Sequence, residues 1–223
     1  HTAKNSGRQN STNPCSEYNF LNDTSCNLGS HNLLSYSDEK GNFNVDAYMH
    51  GNYITTIALD IINDAASYPV ESIAMISPEF RTIGLGYANL GALLMRRGLA
   101  YDSEEGRALA GAITAVMTGN SYEQSAKMSE NLGSFIHFEF NKKLMLEVMK
   151  KHQSNLDDIA WEHVPDDIKK EAYRTWQSAI DRGEEFGFRN AQATVLAPTG
   201  TISYLMGCDT TGVEPANPLQ IFK

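Results

Sequence analysis

An amide, a thiol and a carboxylate stand at alternate positions in the run Thr12-Asn13-Pro14-Cys15-Ser16-Glu17-Tyr18, and a second cysteine, Cys26, follows Cys15 by eleven positions. If this run is extended, Asn13, Cys15 and Glu17, at i, i+2 and i+4, leave the backbone on one side and face one ligand. Such a group can do chemistry. The carboxylate can take a proton, the amide can hold a hydroxyl, and the thiol can react as a nucleophile or give up its hydrogen atom. Pro14 biases Asn13 toward extended backbone, and the polar stretches 5–7 and 9–14 mark a loop, not a core strand. Taken singly, Cys15 also reads as a small buried apolar residue and Glu17 as a surface charge.

A second constellation lies near the other end. Residues 193–197 are an apolar strand pattern, followed by Pro198-Thr199-Gly200-Thr201-Ile202-Ser203 and then by Cys208-Asp209-Thr210-Thr211-Gly212-Val213-Glu214-Pro215. Backbone N–H groups at a strand-to-helix turn, helped by Gly200 and the hydroxyls of Thr199, Thr201 and Ser203, can cradle a phosphate. No lysine follows the glycine as a Walker A loop requires. An ordinary β-α turn remains the competing reading.

Between these ends the pattern alternates. Residues 26–34 read as a short strand closed by the polar turn 37–42. Tyr53, Ile54, Ile57, Ala58, Ile61 and Ile62 fall at helical spacing within 45–66, which predicts an amphipathic helix with that stripe as its apolar face. Residues 81–86 predict a strand and 88–97 a helix. Gly84-Leu85-Gly86-Tyr87-Ala88-Asn89 approaches a dinucleotide fingerprint, but Asn89 replaces the third glycine, so a tight strand-to-helix turn is the better reading. Acidic residues at 102–105 open a long helical region to 132. Residues 135–140 alternate around His137, which has no second histidine at ligand spacing. Helices are expected at 141–152 and 165–182, with Lys142, Lys143, Lys150 and Lys151 on a solvated face. Strands alternating with helices of ten or more residues imply a largely parallel α/β arrangement.

The chain has 223 residues, 41% apolar and 20% charged, enough for one sizeable core. A net charge of -9 and a pI near 5.1 argue against binding a nucleic-acid backbone. Three cysteines are too few for a disulfide scaffold and point to a reducing, cytoplasmic setting. Cys15 and Cys26 lack zinc-site spacing, so no metal site is expected. No apolar run is long enough to span a membrane, and the first fourteen residues have no signal-peptide pattern.

Residues 13–18, Ser25-Cys26-Asn27-Leu28 with Asn32-Leu33, Arg81-Thr82-Ile83-Gly84-Leu85-Gly86, and 197–215 together resemble the catalytic (large) subunit of ribonucleotide reductase, in wording closest to the adenosylcobalamin-dependent, class II branch. The matches run in the family's order across nearly the whole chain. The resemblance implies one partial domain over 1–223, a piece of a longer polypeptide. It would be mainly the second half of a ten-stranded α/β barrel, with the catalytic cysteine loop at 5–26 threading the centre and a phosphate loop at 197–203.

It implies roles as well. Cys15 would become a thiyl radical that removes the C3' hydrogen of a ribonucleotide, Glu17 would take the 3'-hydroxyl proton, and Asn13 would bond the ribose hydroxyls. Cys26 would be one of two thiols that reduce the ribose as the 2'-oxygen leaves as water. Thr12 and the loop residues Pro198, Thr199, Gly200, Thr201, Ile202 and Ser203 would contact the substrate. The product is a deoxyribonucleotide for DNA synthesis. Adenosylcobalamin would be the radical source and a dithiol, supplied by a thioredoxin-like protein, the reductant. The partners would be a ribonucleoside di- or triphosphate, the rest of the reductase chain and a second copy in a homodimer, with no nucleic acid or membrane. A buried Glu17 would have its pKa raised from about 4.3 toward neutrality. The family's partner of Cys26 lies upstream of the catalytic loop, on a strand this sequence lacks, so the segment alone should not turn over.

Other readings stand beside this one. A class I reductase would draw its radical from a metal-containing partner subunit. A cysteine hydrolase would activate Cys15 with His31 or His137. A non-catalytic product of a split gene would act only when assembled with a complementary chain.

Overall fold

The glycine-bearing run at 83–88 is the middle of the sheet. The computed structural model describes residues 1–216. In it β1 (Asn27–Asn32) pairs in parallel with β2 (Ile83–Ala88), in a register running from Asn27 opposite Ile83 to Asn32 opposite Ala88. A third extended segment, 192–195, lies on the other side of β2. The Ile83 N–H donates to the Gln192 carbonyl at 2.9 Å, the Leu85 N–H to Ala193 at 3.0 Å, and the Val195 N–H to Leu85 at 3.0 Å. Parallel neighbours need long crossovers. Helices α1 (Val45–Ala65) and α2 (Glu71–Phe80) make the first. Helices α3 (Leu90–Arg96), α4 (Glu104–Leu132), α5 (Phe138–Ser154) and α6 (Asp166–Phe186) make the second.

The two faces of the sheet differ. A β-carbon on Gly29 would meet Thr55 and Leu59 of α1, whereas one on Gly84 would meet Cys26, Leu28 and Val195. By strand alternation, Asn27, Gly29 and His31 therefore face the helices, and Cys26, Leu28 and Ser30 face the opposite side. The helical side holds the core. Ile83, Leu85, Tyr87, Trp176, Phe135, Phe138 and Phe188 are almost fully buried there, each contributing about 1.5–3 kcal/mol of transfer free energy. Helix α4 lies along α6, and Gly119 lets it approach closely: a β-carbon there would stand 2.6 Å from the Thr175 hydroxyl.

The long helix at 104–132 forms as expected, with the Ser103 side chain accepting the Gly106 N–H and Glu104 and Glu105 in the first turn. The barrel and the orientation of α1 need correction. The barrel reading is met only in part: two strands and one bridged segment form a parallel α/β core, with no closed barrel among the described residues. The alternation over 135–140 does not make a strand, and His137 there is satisfied by Glu79. Phe135 and Phe138 both turn into the aromatic cluster around Phe188, and α5 begins at Phe138. Helix α2 was not anticipated, because Pro78 lies inside it.

The other correction concerns α1. The helix forms over the expected residues, capped by the Asn44 side chain on the Ala47 N–H, but it is turned the other way. Its buried positions include Tyr48, Asn52, Thr56, Leu59, Asp60 and Asn63, while Tyr53, Ile54, Ile61 and Ile62 are exposed. One cause is the buried guanidinium of Arg81. It donates to Asp60 at 2.9 Å and to Asp64 at 2.6 Å, and Asn190 donates to the same Asp60 at 2.8 Å. A buried cation without these partners would cost several kcal/mol, which holds the polar face of α1 inward.

Candidate active site

The cysteine run is a turn, not an extended strand. Thr12 and Asn19 form an antiparallel bridge. The Asn13 N–H donates to the Tyr18 carbonyl, the Tyr18 N–H donates to the Asn13 side-chain oxygen, and the Ser16 N–H donates to the Asn13 carbonyl, each at 3.1 Å. Pro14 and Cys15 thus occupy the two central positions of a tight turn, where proline's fixed φ is favourable, and Ser16 follows at φ 66°. Alternation no longer aligns the three side chains. Instead Cys15 is exposed at the tip. The Asn13 carboxamide closes the turn with its oxygen, and its NH2 group has no partner among the described residues.

Tyr18 fixes the turn to the sheet. Its buried hydroxyl meets Thr24 at 2.9 Å and Thr82, just before β2, at 3.0 Å, and the Thr82 hydroxyl in turn donates to the Ser25 carbonyl, next to Cys26. Burial, the larger effect, pushes the Tyr18 phenol up to about 12 against these hydrogen bonds. Nothing in the spacing of the run marked Tyr18 or Thr82 as framing residues; their only signal was adjacency to Cys15 and to β2.

Glu17 lies near enough to Cys26 to act on its thiol through charge. Glu17 is half-buried, and its Oε2 is buried without a protein partner. Burial first, and then the negative charge of Glu17, push the Cys26 thiol up to about 12. At neutral pH the group is therefore S–H, a hydrogen donor and not a thiolate. Its sulfur occupies the face of β2 left open by Gly84.

The proposed phosphate loop lies at the carboxyl ends of the same strands, where open α/β sheets bind ligands. Thr199 takes a left-handed conformation, φ 57°, and α7 (Gly200–Leu205) begins directly after it. Two of the three hydroxyls serve the loop itself: Thr199 Oγ1 accepts the Gly212 N–H at 2.6 Å, and the Ser203 hydroxyl donates to the Gly200 carbonyl at 3.1 Å. Thr201 is exposed. The first helical donor, the Ser203 N–H, bonds to Thr199, so the N–H groups of Gly200, Thr201 and Ile202 precede the ladder. Pro198 is exposed and Ile202 half-buried. Asn32 and Asn89, which the motif reading did not single out as site residues, tie this end together. Asn89 Nδ2 donates to Asn32 at 2.9 Å, and Asn89 Oδ1 accepts the N–H groups of Asp209 and Thr210 at 3.0 and 2.9 Å.

Both constellations use one face of the sheet. Val195 borders Gly84 beside Cys26, and Thr199 follows four residues further along the chain. A cavity of about 740 Å³ lies on the helical side, lined in part by Thr114, Thr118, Trp176 and Thr194, and none of the cysteines lines it. A smaller one of about 350 Å³ adjoins Thr12, Asn13, Tyr18 and Thr24. Neither histidine considered as a base is paired with a thiol. His31 is buried on the α1 side against the Tyr36 hydroxyl at 2.9 Å, and His137 pairs with Glu79 at 2.7 Å.

Comparison with known proteins adds an independent finding. The family model described as "Ribonucleotide reductase, barrel domain" matches residues 1–222. A vitamin B12-dependent ribonucleotide reductase of Bradyrhizobium diazoefficiens is 47% identical over all of this chain and 19% of its own length. Proteins of the same name from Rhodopirellula baltica and Streptomyces coelicolor are 45% and 46% identical, again over all of this chain, and over 21% and 24% of their own lengths. The chain thus spans about a fifth of the curated relatives it matches. Among the described residues, no helix is long and apolar enough to cross a membrane.

Proposed function

Because this chain belongs to the ribonucleotide reductase barrel-domain family, we propose that it is the part of a B12-dependent reductase that carries the radical cysteine and converts ribonucleotides to 2'-deoxyribonucleotides. The segments 27–32, 83–88 and 192–195 would be strands of the family's ten-stranded barrel, with the Cys15 turn at its centre, in one partial domain. The observation that carries the reading is an exposed Cys15 at the tip of a turn, with the unpartnered Oε2 of a half-buried Glu17 two residues on and the Cys26 sulfur seated against Gly84 of the sheet.

In this reading the Cys15 sulfur takes the C3' hydrogen atom of the ribose. Glu17 accepts the 3'-hydroxyl proton, for which its unpartnered Oε2 is available. The 2'-hydroxyl leaves as water, and two thiols, Cys26 and one outside this segment, become a disulfide as they deliver two electrons and two protons. Cys15 then returns its hydrogen to C3'. A small dithiol or a thioredoxin-like protein reduces the disulfide. Free Asn13 donors would hold the ribose hydroxyls, Thr12 would adjoin them, and the N–H groups of 200–202 with Thr201 would hold a di- or triphosphate.

The radical source implied by the relatives' name fits the turn. Cys15 is exposed at its tip, so a bulky cofactor can reach the sulfur, and Pro14, Cys15 and Ser16 are the residues that would face it. When bound, adenosylcobalamin supplies the unpaired electron that a thiol cannot generate alone. The three free cysteines suit a reducing cytoplasm. The deciding experiment is Cys15→Ser in the complete enzyme. Nucleotide binding should persist within about twofold while deoxynucleotide formation is abolished, because the serine O–H bond is too strong for the relay. Measurable turnover by the serine variant would remove Cys15 from the mechanism. Spectral titration of the complete enzyme with adenosylcobalamin separates this branch from a class I enzyme with a metal-bearing partner.

A further inference from the structure

Helix α1 presents its apolar stripe away from its own core. Tyr53, Ile54, Ile61 and Ile62 are 42%, 50%, 59% and 44% exposed. With Ile57 and Ala58 they form two adjacent i, i+4 rows, 53-57-61 and 54-58-62, running more than two turns without a charge. The opposite face buries Asn52, Thr56, Asp60 and Asn63. Scattered exposed apolar residues are ordinary, but a contiguous stripe marks a contact. Nor do these side chains serve the helix locally. Isoleucine is β-branched and a poorer helix former than the leucine, lysine or glutamate an exposed face would otherwise carry. Four isoleucines on one solvent-side face therefore have no local benefit, and their value lies in burial against something else.

We infer that this face of α1 is an interface to the remainder of the same reductase polypeptide, which meets it with an apolar segment. The relatives carry roughly four fifths of their length outside the matched region, so a covering segment within the same chain is available in proteins of this kind. The absence of charge along both rows selects an apolar partner over an acidic or basic one. The inference rests on family membership and on the orientation of α1, and it stands whether or not the proposed radical reaction is correct.

The test uses the full-length chain with Ile54→Cys and Ile61→Cys introduced singly. These conservative changes leave the fold intact even where the contact is tight. Maleimide labelling at each new cysteine is followed by peptide mapping, natively and in urea, across a range of protein concentrations. The expected result is labelling at least tenfold slower in the native chain than in urea, at every concentration. Native labelling as fast as in urea would show a solvated face and overturn the inference. Protection that disappears on dilution, in step with dissociation of a dimer seen by size-exclusion chromatography, would assign the face to a second copy and overturn it equally.

Discussion

Gly84 and Cys26 form one steric unit: a β-carbon on Gly84 would stand 2.8 Å from the Cys26 sulfur, 2.8 Å from a Val195 methyl and 2.5 Å from a Leu28 methyl. Real side chains do not tolerate such approaches, so the absence of a side chain at 84 is what seats the thiol on this face of the sheet. Gly84→Ala should cost about 1–3 kcal/mol of stability through overpacking and should displace the thiol. In the complete enzyme, multiple turnovers with a dithiol should fall at least tenfold, and alkylation of Cys26 by iodoacetamide should accelerate. An alanine variant with unchanged stability and unchanged Cys26 reactivity would show that the sulfur does not depend on Gly84.

Much of this arrangement was legible in the sequence, and the rest was hidden for physical reasons. Cap and charge signals at Ser103, Glu104 and Glu105 located α4, because those effects are local. The strand-to-helix turn at Asn89 was readable from the broken glycine pattern. The orientation of α1 was not, because it answers to Arg81 and Asn190, distant residues whose buried polar groups must be satisfied. The turn at Cys15 was missed for the opposite reason. Alternation described side-chain direction correctly for an extended chain, but Asn13 used its amide to close the backbone on Tyr18. Cys15 and Glu17 were grouped by their spacing and Cys26 joined them through the family resemblance, whereas the electrostatic influence of Glu17 on Cys26 required the fold.

His31 makes stability depend on pH in a predictable direction. It faces Tyr36 and Tyr48 with no carboxylate partner, and burial holds its imidazole down at about 4 against an ordinary 6.5. The folded state therefore prefers the neutral ring, and the unfolded chain takes up the proton first. This contribution is complete above pH 6.5, declines as pH falls through 6.5 and levels off near 4, a loss of at most about 3 kcal/mol. His31→Phe should lower the thermal midpoint at pH 7, by losing the Tyr36 bond, yet flatten its fall between pH 6.5 and 4. An equally steep fall in the variant would place the acid sensitivity elsewhere.

Gly200 offers a test of the phosphate loop that leaves the fold alone. A β-carbon there meets nothing within 4 Å, so Gly200→Val should fold normally while screening the N–H groups of 200–202 from a ligand. Binding of a nucleoside diphosphate should weaken at least tenfold in the complete enzyme, and binding of the corresponding nucleoside should change less than twofold. Equal losses for both ligands would show that the loop does not hold phosphate.

The remaining question is which thiol accompanies Cys26, and the strand geometry answers part of it. Cys26 stands immediately before β1, whereas Cys208 lies at the opposite end, where its N–H bonds to Ser203 at 2.9 Å and the next residue bonds to Asn89 at 3.0 Å. Asn89 follows Ala88, the partner of Asn32 at the far end of β1. Six residues of strand separate the two ends by on the order of 20 Å, and a disulfide needs its Cα atoms within about 7 Å. Cys208 therefore cannot close a bond to Cys26 in this fold. Its thiol is also pushed up, first by burial and then by the adjacent Asp209, which slows its reaction as a nucleophile. In the complete enzyme, Cys26→Ser should stop multiple turnovers with a dithiol reductant after at most one cycle, while Cys208→Ser should keep most of the activity. Peptide mapping of the oxidised enzyme should join Cys26 to a cysteine outside this segment. A stalled Cys208 variant together with a mapped Cys26–Cys208 bond would require the two ends of β1 to meet, and would refute both the assignment and the strand register on which it depends.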